Sequence, residues 1–334
     1  MRIAILNYED AVSTCVTGPA DIWYGMSRMY PVLTGSPMKM DIRIDFVFAA
    51  GRSLYATPIG AQTQKQKKRK VALKEVYDLV VIPAMRFEKI QQVLDREKTL
   101  IKWLKDQHAQ GAELASICVG AFLLASTGLL SGKKATTNWL FADQFRKYFP
   151  YVDLEDDKVI VDQGKLCSCG GAFSFTSFMI YLIEKFCGHE EAIIASKILM
   201  INIHDQPQSS FSIFQFQRDH ADEAIANTQL YIEKNYRQPL TLEHLAGRCN
   251  MSVRNFIRRF EQATTNTPLE YVQRVRIEAA KKMLENKKQG VEQVASRCGY
   301  EDTNYFRKIF KRYVAMTPRA YQEKYGRDRT ARIA

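Results

Sequence analysis

Long apolar runs are missing from this chain: none of its segments reaches the roughly eighteen consecutive apolar residues that would mark a membrane-crossing helix. Framework cysteine spacing is missing too. The seven cysteines are odd in number and irregularly placed, which excludes a disulfide-stapled scaffold and fits a reducing compartment. Histidine is scarce, with five in all, and no ligand constellation forms around any of them. Cys167, Cys169, Cys187 and His189 make CxC and CxH pairs, but neither has structural zinc spacing, so no metal and no cofactor is expected. The first residues, MRIAILNYEDAV, lack a small-residue cleavage site and read as a β-strand rather than a signal peptide. No membrane association is expected, and the chain is assigned to the cytoplasm.

What is present is enough for two domains. At 334 residues, 46% hydrophobic and 25% charged, the chain has a globular composition and exceeds the usual single-domain length. Its net charge of +12 is uneven: residues 221–334 hold 22 Lys and Arg against 13 Asp and Glu, leaving 26 against 23 upstream. A basic excess confined to the last third is the electrostatic footprint of a phosphate-backbone partner, although an anionic membrane surface would attract it as well.

The first two hundred residues alternate strand-like and helix-like runs, with strands expected at 2–6, 42–48, 79–82, 113–118 and 159–161. Helices are expected at 19–30, 99–110, 121–127, 139–149 and 173–186, the βα alternation of a flavodoxin-like, doubly wound α/β sheet. The wholly apolar Leu79 to Ile82 suits a central strand buried on both faces. A polar stretch follows, so the chain divides into an α/β domain at 1–203, a linker at 204–223, an all-α domain at 224–325 and a flexible tail at 326–334. The basic run Lys65 to Lys70 interrupts the α/β domain and reads as a solvated loop, with nonspecific phosphate contact as the alternative.

The all-α segment repeats itself. Ala246 and Cys249 recur 49 residues later as Ala295 and Cys298; past a turn the offset becomes 50, relating Phe256 to Phe306, Phe260 to Phe310 and Tyr271 to Tyr321. Each copy has the parts of a helix-turn-helix. Thr241 and Ser252 are placed as N-caps of the two helices of the first copy, and Cys249 and Cys298 as small buried packing residues. Phe256 and Phe260, spaced i and i+4, turn inward, which leaves Ser252, Arg254, Asn255, Ile257 and Arg258 for a DNA groove. In the second copy the inward pair is Phe306 and Phe310, and the outward residues are Asn304, Tyr305, Arg307 and Lys308. Arg and Lys reach guanine edges or phosphates, and Asn suits adenine. Thr267-Pro268-Leu269-Glu270 is a capping box opening a spacer helix. Its buried stripe is expected at Val272, Val275, Ala279 and Met283, with Arg274, Arg276, Lys281 and Lys282 off it. Such a spacer would set the two heads into successive major-groove segments, about 34 Å apart on one face of duplex DNA.

Ser116-Ile117-Cys118-Val119-Gly120 is an SxCxG pattern where a strand meets a helix, the sequence of a nucleophile elbow. In that reading Cys118 is exposed at the carboxyl end of the sheet, with its pKa lowered by the following helix; the alternative is a buried, inert cysteine.

Two resemblances sharpen these expectations. MSVRNFIRRF, YFRKIFKR and the TPLEY and TPRAY endings resemble the AraC/XylS family over residues 224 to 325. GPADIW, YDLVVIPA and SICVGAFLLASTGLLSGKKATTNW resemble the PfpI-type, class I glutamine-amidotransferase-like domain, and the two together resemble GlxA-type bacterial regulators. The resemblance implies a promoter-binding regulator, often dimeric, that responds to a small, nitrogenous metabolite; the metabolite is expected to bias how the heads meet DNA or RNA polymerase. Enzymes of the PfpI type place a histidine where this chain has Asn138 and an acid where it has Cys15, and Pro83 to Met85 departs from their PGG. The expectation is therefore a ligand pocket at Cys15, Met85, Cys118, Val119 and Asn138 with no catalytic residues. Two rival classes are a cysteine-dependent amidase or glyoxalase tethered to DNA, and an architectural DNA binder.

Overall fold

A computed structural model describes residues 1–38, 40–50, 53–58, 69–71, 75–201, 207–214, 216–218, 220–286 and 289–326. The chain forms two compact units, Met1–Gln208 and Ser209–Ala334. The division falls inside the polar stretch read as a linker. Lys65 to Lys68 of the basic run and residues 327–334 of the tail lie outside the described residues. Among those described, no helix is long and apolar enough to cross a membrane.

The first unit is built on β1 (Arg2–Leu6), β2 (Arg43–Ala50), β3 (Ser53–Pro58), β4 (Arg69–Lys70), β5 (Leu79–Ile82), β6 (Glu113–Ile117), β7 (Lys134–Ala135), β8 (Asp153–Leu154), β9 (Ile160–Asp162) and β10 (Leu166–Cys169). Its helices are α1 (Ser13–Thr34), α2 (Ile90–Arg96), α3 (Lys98–Ala109), α4 (Gly120–Ser126), α5 (Ala142–Tyr148), α6 (Phe175–Cys187) and α7 (His189–Leu199). The main sheet runs β4-β3-β2-β1-β5-β6-β10-β9, with β7 and β8 paired separately. Its five central strands, β2, β1, β5, β6 and β10, are mutually parallel, in the flavodoxin-like order. The edges are antiparallel, β3 and β4 at one side and β9 at the other, so the sheet is mixed rather than wholly doubly wound. Because β1 connects leftward to β2 and β5 rightward to β6, right-handed crossovers put their helices on opposite faces. Leu79, Val80, Val81 and Ile82 of β5 are fully buried, as expected of a strand covered on both sides.

Several boundaries differ from the sequence reading. α1 begins six residues before Pro19 and runs through both Pro19 and Pro31, and α2 and α7 were not anticipated. β3, β4, β7 and β8 carry too few alternating apolar residues to announce themselves; pairing with neighbours makes them strands. Arg69, read as part of a solvated loop, lies instead in β4, with Nη2 2.5 Å from Asp45 and Nη1 2.7 Å from Glu75. Tyr77 donates to Asp45 at 2.8 Å, and the Arg2 guanidinium, also paired with Glu75, lies 4.7 Å from the centre of its ring. This cluster fastens the start of β1 to the antiparallel edge. Burial alone would raise the Glu75 carboxyl, but the hydrogen bonds from Arg69 and Arg2 outweigh it and hold it below its ordinary 4.5.

The second unit is helical: α8 (Glu223–Asn235), α9 (Leu242–Arg248), α10 (Val253–Thr264), α11 (Pro268–Leu284), α12 (Val291–Arg297), α13 (Thr303–Val314) and α14 (Pro318–Tyr325). It has two cores. One gathers Ile225, Ile232, Leu245, Phe256, Phe260, Tyr271, Val272 and Val275, and the other Ile277, Ala280, Leu284, Val294, Phe306, Phe310 and Tyr321. The first half of α11 closes one core and its second half the other. The expected stripe on α11 is therefore corrected: Ala279 and Met283 are only half-buried, while Ile277, Ala280 and Leu284 are buried. Lys281, placed off the stripe, is buried too, with Nζ donating to the Ser212 carbonyl at 2.6 Å and to Glu278 at 2.7 Å. Arg276 is half-buried and donates to the carbonyls of Tyr236 and Gln238.

The start of this unit is laid across it as a strap. The Ser210 carbonyl accepts from Tyr325 at 3.3 Å, Ser212 takes Lys281, and Phe214 packs edge-on against Tyr271 with ring centres 5.3 Å apart. The carbonyls of Phe216 and Gln217 accept from Gln229, and the Gln217 side chain bonds Thr265 and Asn266.

Two outcomes follow for the full chain. A Cβ at residue 120 would fall 2.5 Å from the Pro83 carbonyl oxygen and 2.6 Å from that of Ile82, so Gly120→Ala should lower stability by about 1–3 kcal/mol in urea titrations. An unchanged midpoint would contradict the close packing of α4 on β5. Since Glu75 is held below its ordinary value when folded, its contribution is complete above about pH 4.5 and fades as pH falls further. The stability difference between wild type and Glu75→Gln should therefore shrink on acidification from pH 6 to 3.

Candidate functional site

The elbow forms as the SxCxG pattern requires. Cys118 follows β6 with φ +54°, a left-handed conformation costly for a residue with a Cβ. Its N–H donates to the Cys169 carbonyl at 2.7 Å and its carbonyl accepts from the Thr137 hydroxyl at 3.0 Å, which pins the strained residue from both sides. The exposed, low-pKa thiol expected there is not what results. Cys118 is buried, and burial first, with Cys15 nearby second, pushes its thiol up to about 12 against partial relief from the Val119 backbone, the Asn138 side chain and the Ala172 backbone. α4 spans only seven residues, and its dipole does not offset the loss of water.

Four of the five expected pocket residues, Cys15, Met85, Cys118 and Val119, are buried, and Asn138 is half-buried. Cys15, on α1, donates to the Ala172 carbonyl at 3.6 Å, and burial pushes its thiol up to about 11. Asn138 Oδ1 accepts from the Leu140 N–H at 3.0 Å, capping a short turn. Cys15 and Cys118 thus converge on the Ala172 backbone, and the Asn138 side chain reaches the Cys118 thiol. Met85 sits to one side, bridged to Ala11 and lining a surface depression with Val12, Arg86 and Phe87. Sequence reasoning missed Tyr8, buried just past β1 with its hydroxyl donating to the Pro83 carbonyl at 2.6 Å. Its place at the carboxyl end of a central strand was the available signal.

No three His, Cys, Asp or Glu side chains group as a metal site among the described residues. Cys167 is buried beside Lys185, and His189 bonds Glu184.

In the second unit the repeat is visible atom by atom. Thr241, Ser252, Thr267 and Thr317 each accept from a backbone N–H of the helix they open, and at Thr267 the Glu270 carboxylate completes the capping box. Asp302 caps α13 from the position equivalent to Ser252. The turn residues Asn250 and Gly299 have φ 52° and 82°, and the αL ends of α10 and α13 fall at Thr265 and Ala315. Phe260 meets Tyr271 edge-on at 5.4 Å, as Phe310 meets Tyr321 at 5.6 Å. Cys298 is buried as expected, whereas Cys249 is half-buried, its thiol 2.9 Å from the Thr228 hydroxyl.

With the phenylalanine pairs turned inward, Ser252, Arg254 and Arg258 of the first head are exposed, and Asn255 and Ile257 are half-buried. Arg258 donates to Asn255 at 2.9 Å, which presents the two polar groups side by side. In the second head Asn304, Tyr305, Arg307 and Lys308 are all exposed. Tyr305 accepts from Gln273 of α11 at 3.1 Å, so the spacer helix touches a residue of the outward face. Arg259, next to Arg258, turns away to Asp222 at 2.8 Å and holds α10 to the start of α8.

Comparison with known proteins covers both units. Residues 26–185 match the DJ-1/PfpI family and residues 245–324 a helix-turn-helix domain family. Similar curated proteins include the HTH-type transcriptional regulators GbdR and CdhR of Pseudomonas aeruginosa. Each is 26% identical, over 69% and 66% of this chain and 62% and 65% of their own lengths. The matches thus span less than two thirds of those two relatives. The HTH-type transcriptional regulator GlxA of Rhizobium meliloti is 23% identical over 65% of this chain and 67% of its own. The chain is a DJ-1/PfpI-type α/β domain fused to an AraC-type helix-turn-helix domain.

Proposed function

We propose that this chain is a transcription regulator that grips promoter DNA with both helix-turn-helix units, and that its DJ-1/PfpI-type domain binds a small effector without turning it over. The observation that carries the reading is the duplicated head: two helices of matched caps and matched inward phenylalanines, each offering a polar, largely basic outward face. The relatives named as HTH-type transcriptional regulators agree with it.

The non-catalytic part is supported by the state of the thiol. A cysteine with pKa pushed up to about 12 is protonated at neutral pH and a poor nucleophile. The neighbours available to take its proton are Cys15, itself held protonated, and the neutral amide of Asn138. His108 and His189 of the same unit are engaged with the Ala112 carbonyl and Glu184. An effector held beside Cys118 and Asn138 would act by favouring one arrangement of the chain over another.

For the DNA-reading half, Arg258→Ala and Lys308→Ala are each expected to weaken binding to a duplex selected by the wild type from a random library. The loss should be about 1–3 kcal/mol where the residue reads a base, and the salt slope should fall by about one where it holds a phosphate. Anisotropy titrations across a salt series distinguish the two, and unchanged affinity in both variants refutes the placement. For the thiol, iodoacetamide labelling of Cys118 followed by mass spectrometry should still accelerate with pH beyond pH 10. A plateau below pH 8 would reveal a thiolate poised for catalysis.

A further inference from the structure

Behind the elbow lies a polar slot already filled by the chain itself. The Gln208 side chain is buried, and its Nε2 is shared among the Lys158 carbonyl at 2.8 Å, the Thr137 carbonyl at 2.9 Å and the Thr136 hydroxyl at 3.1 Å. Its Oε1 accepts from the Trp139 N–H at 3.1 Å. Three acceptors on one side and a donor on the other define a site for a primary carboxamide: a carboxylate would face two carbonyl oxygens, and an ammonium would face the Trp139 N–H. Thr136 and Thr137 are fully buried, so the slot is part of the domain's interior. Gly170 makes the room, since a Cβ there would overlap the Gln208 amide.

Two features make this slot more than packing. It adjoins the elbow directly: Thr137, whose carbonyl takes the Gln208 amide, donates its hydroxyl to the Cys118 carbonyl, and Asn138 is the next residue. Gln208 is also the last residue of the first unit, and the next one, Ser209, begins the strap that bonds α11, α14, α8 and the end of α10 in the second. The Gln208 side chain, together with its own N–H on the Asp157 carbonyl at 2.9 Å, thus anchors the chain where it leaves the effector-side unit.

We propose that Gln208 is a tethered ligand of a carboxamide-binding slot, and that an effector bearing a primary carboxamide displaces it, frees the start of the strap and weakens the grip on DNA. The inference deepens the regulator reading above and rests on it for its last step. Seating and release are non-covalent: hydrogen bonds of one amide are exchanged for those of another, so the cost of emptying the slot is offset when the incoming amide remakes them.

The test uses the full chain. Gln208→Ala removes the CH2–CONH2 portion that acetamide replaces, so acetamide should raise the unfolding temperature of this variant saturably, beyond any effect on wild type, and acetate should not. Gly170→Ala should expel the far end of a flexible side chain while filling the slot, and so show no such rescue. Both variants should bind the selected duplex roughly fivefold or more weakly than wild type, and acetamide should leave the affinity of Gln208→Ala low, because it fills the slot without tethering the strap. Equal responses of Gln208→Ala and wild type to acetamide, equal action of acetate, or wild-type DNA affinity in both variants would overturn the proposal. The acetamide arm needs no DNA, so a failure of the slot is distinguishable from a failure of the reading heads.

Discussion

The second unit depends on α11 belonging to two cores at once, because neither helix-turn-helix can bury its phenylalanines without it. Tyr271, Val272 and Val275 close the first head and Ile277, Ala280 and Leu284 the second, all on a helix about 25 Å long at 1.5 Å per residue. A rigid helix shared in this way fixes the distance and the angle between the outward faces, since neither head can rotate without breaking its own core. The capping box at Thr267 and Glu270 starts the helix at a set residue. Gln273 on the same helix bonds both Tyr305 and Tyr313, which ties the reading face of the second head to the spacer.

Much of this was legible because it is local. A capping residue acts within three positions, and an i, i+4 phenylalanine pair declares its own face, so the caps of the first head and of the spacer helix, and the inward pairs of both heads, followed from spacing. The offset change from 49 to 50 located the turn in which Asp302 replaces Ser252 as the cap. Misreadings arose where a distant partner decides the outcome. Lys281 looks like a surface residue until the Ser212 carbonyl, some seventy positions upstream, supplies an acceptor that permits burial of its ammonium. The strap was invisible for the same reason: its polar sequence reads as a linker, and only tertiary hydrogen bonds bind it down.

The α/β unit shows the same division. The elbow and its positive φ were written in the small residues around Cys118, and the all-apolar β5 announced a central strand. The chemistry of the thiol was not, because its pKa is set by how much water the fold removes, and desolvation outweighs the helix terminus that the local pattern emphasises. Arg69, embedded in a run of basic residues, gave no sign that Asp45 and Glu75 would claim it. Gln208 likewise gave no sign that it would enter a slot cleared by Gly170.

If the shared helix fixes the geometry of two heads, the footprint of the protein on its DNA should carry that geometry. Hydroxyl-radical footprinting of the full chain on a selected duplex measures it most directly. Two protected segments on one face of the helix, separated by about one turn, are expected. A single protected segment, or two segments on opposite faces, would contradict it.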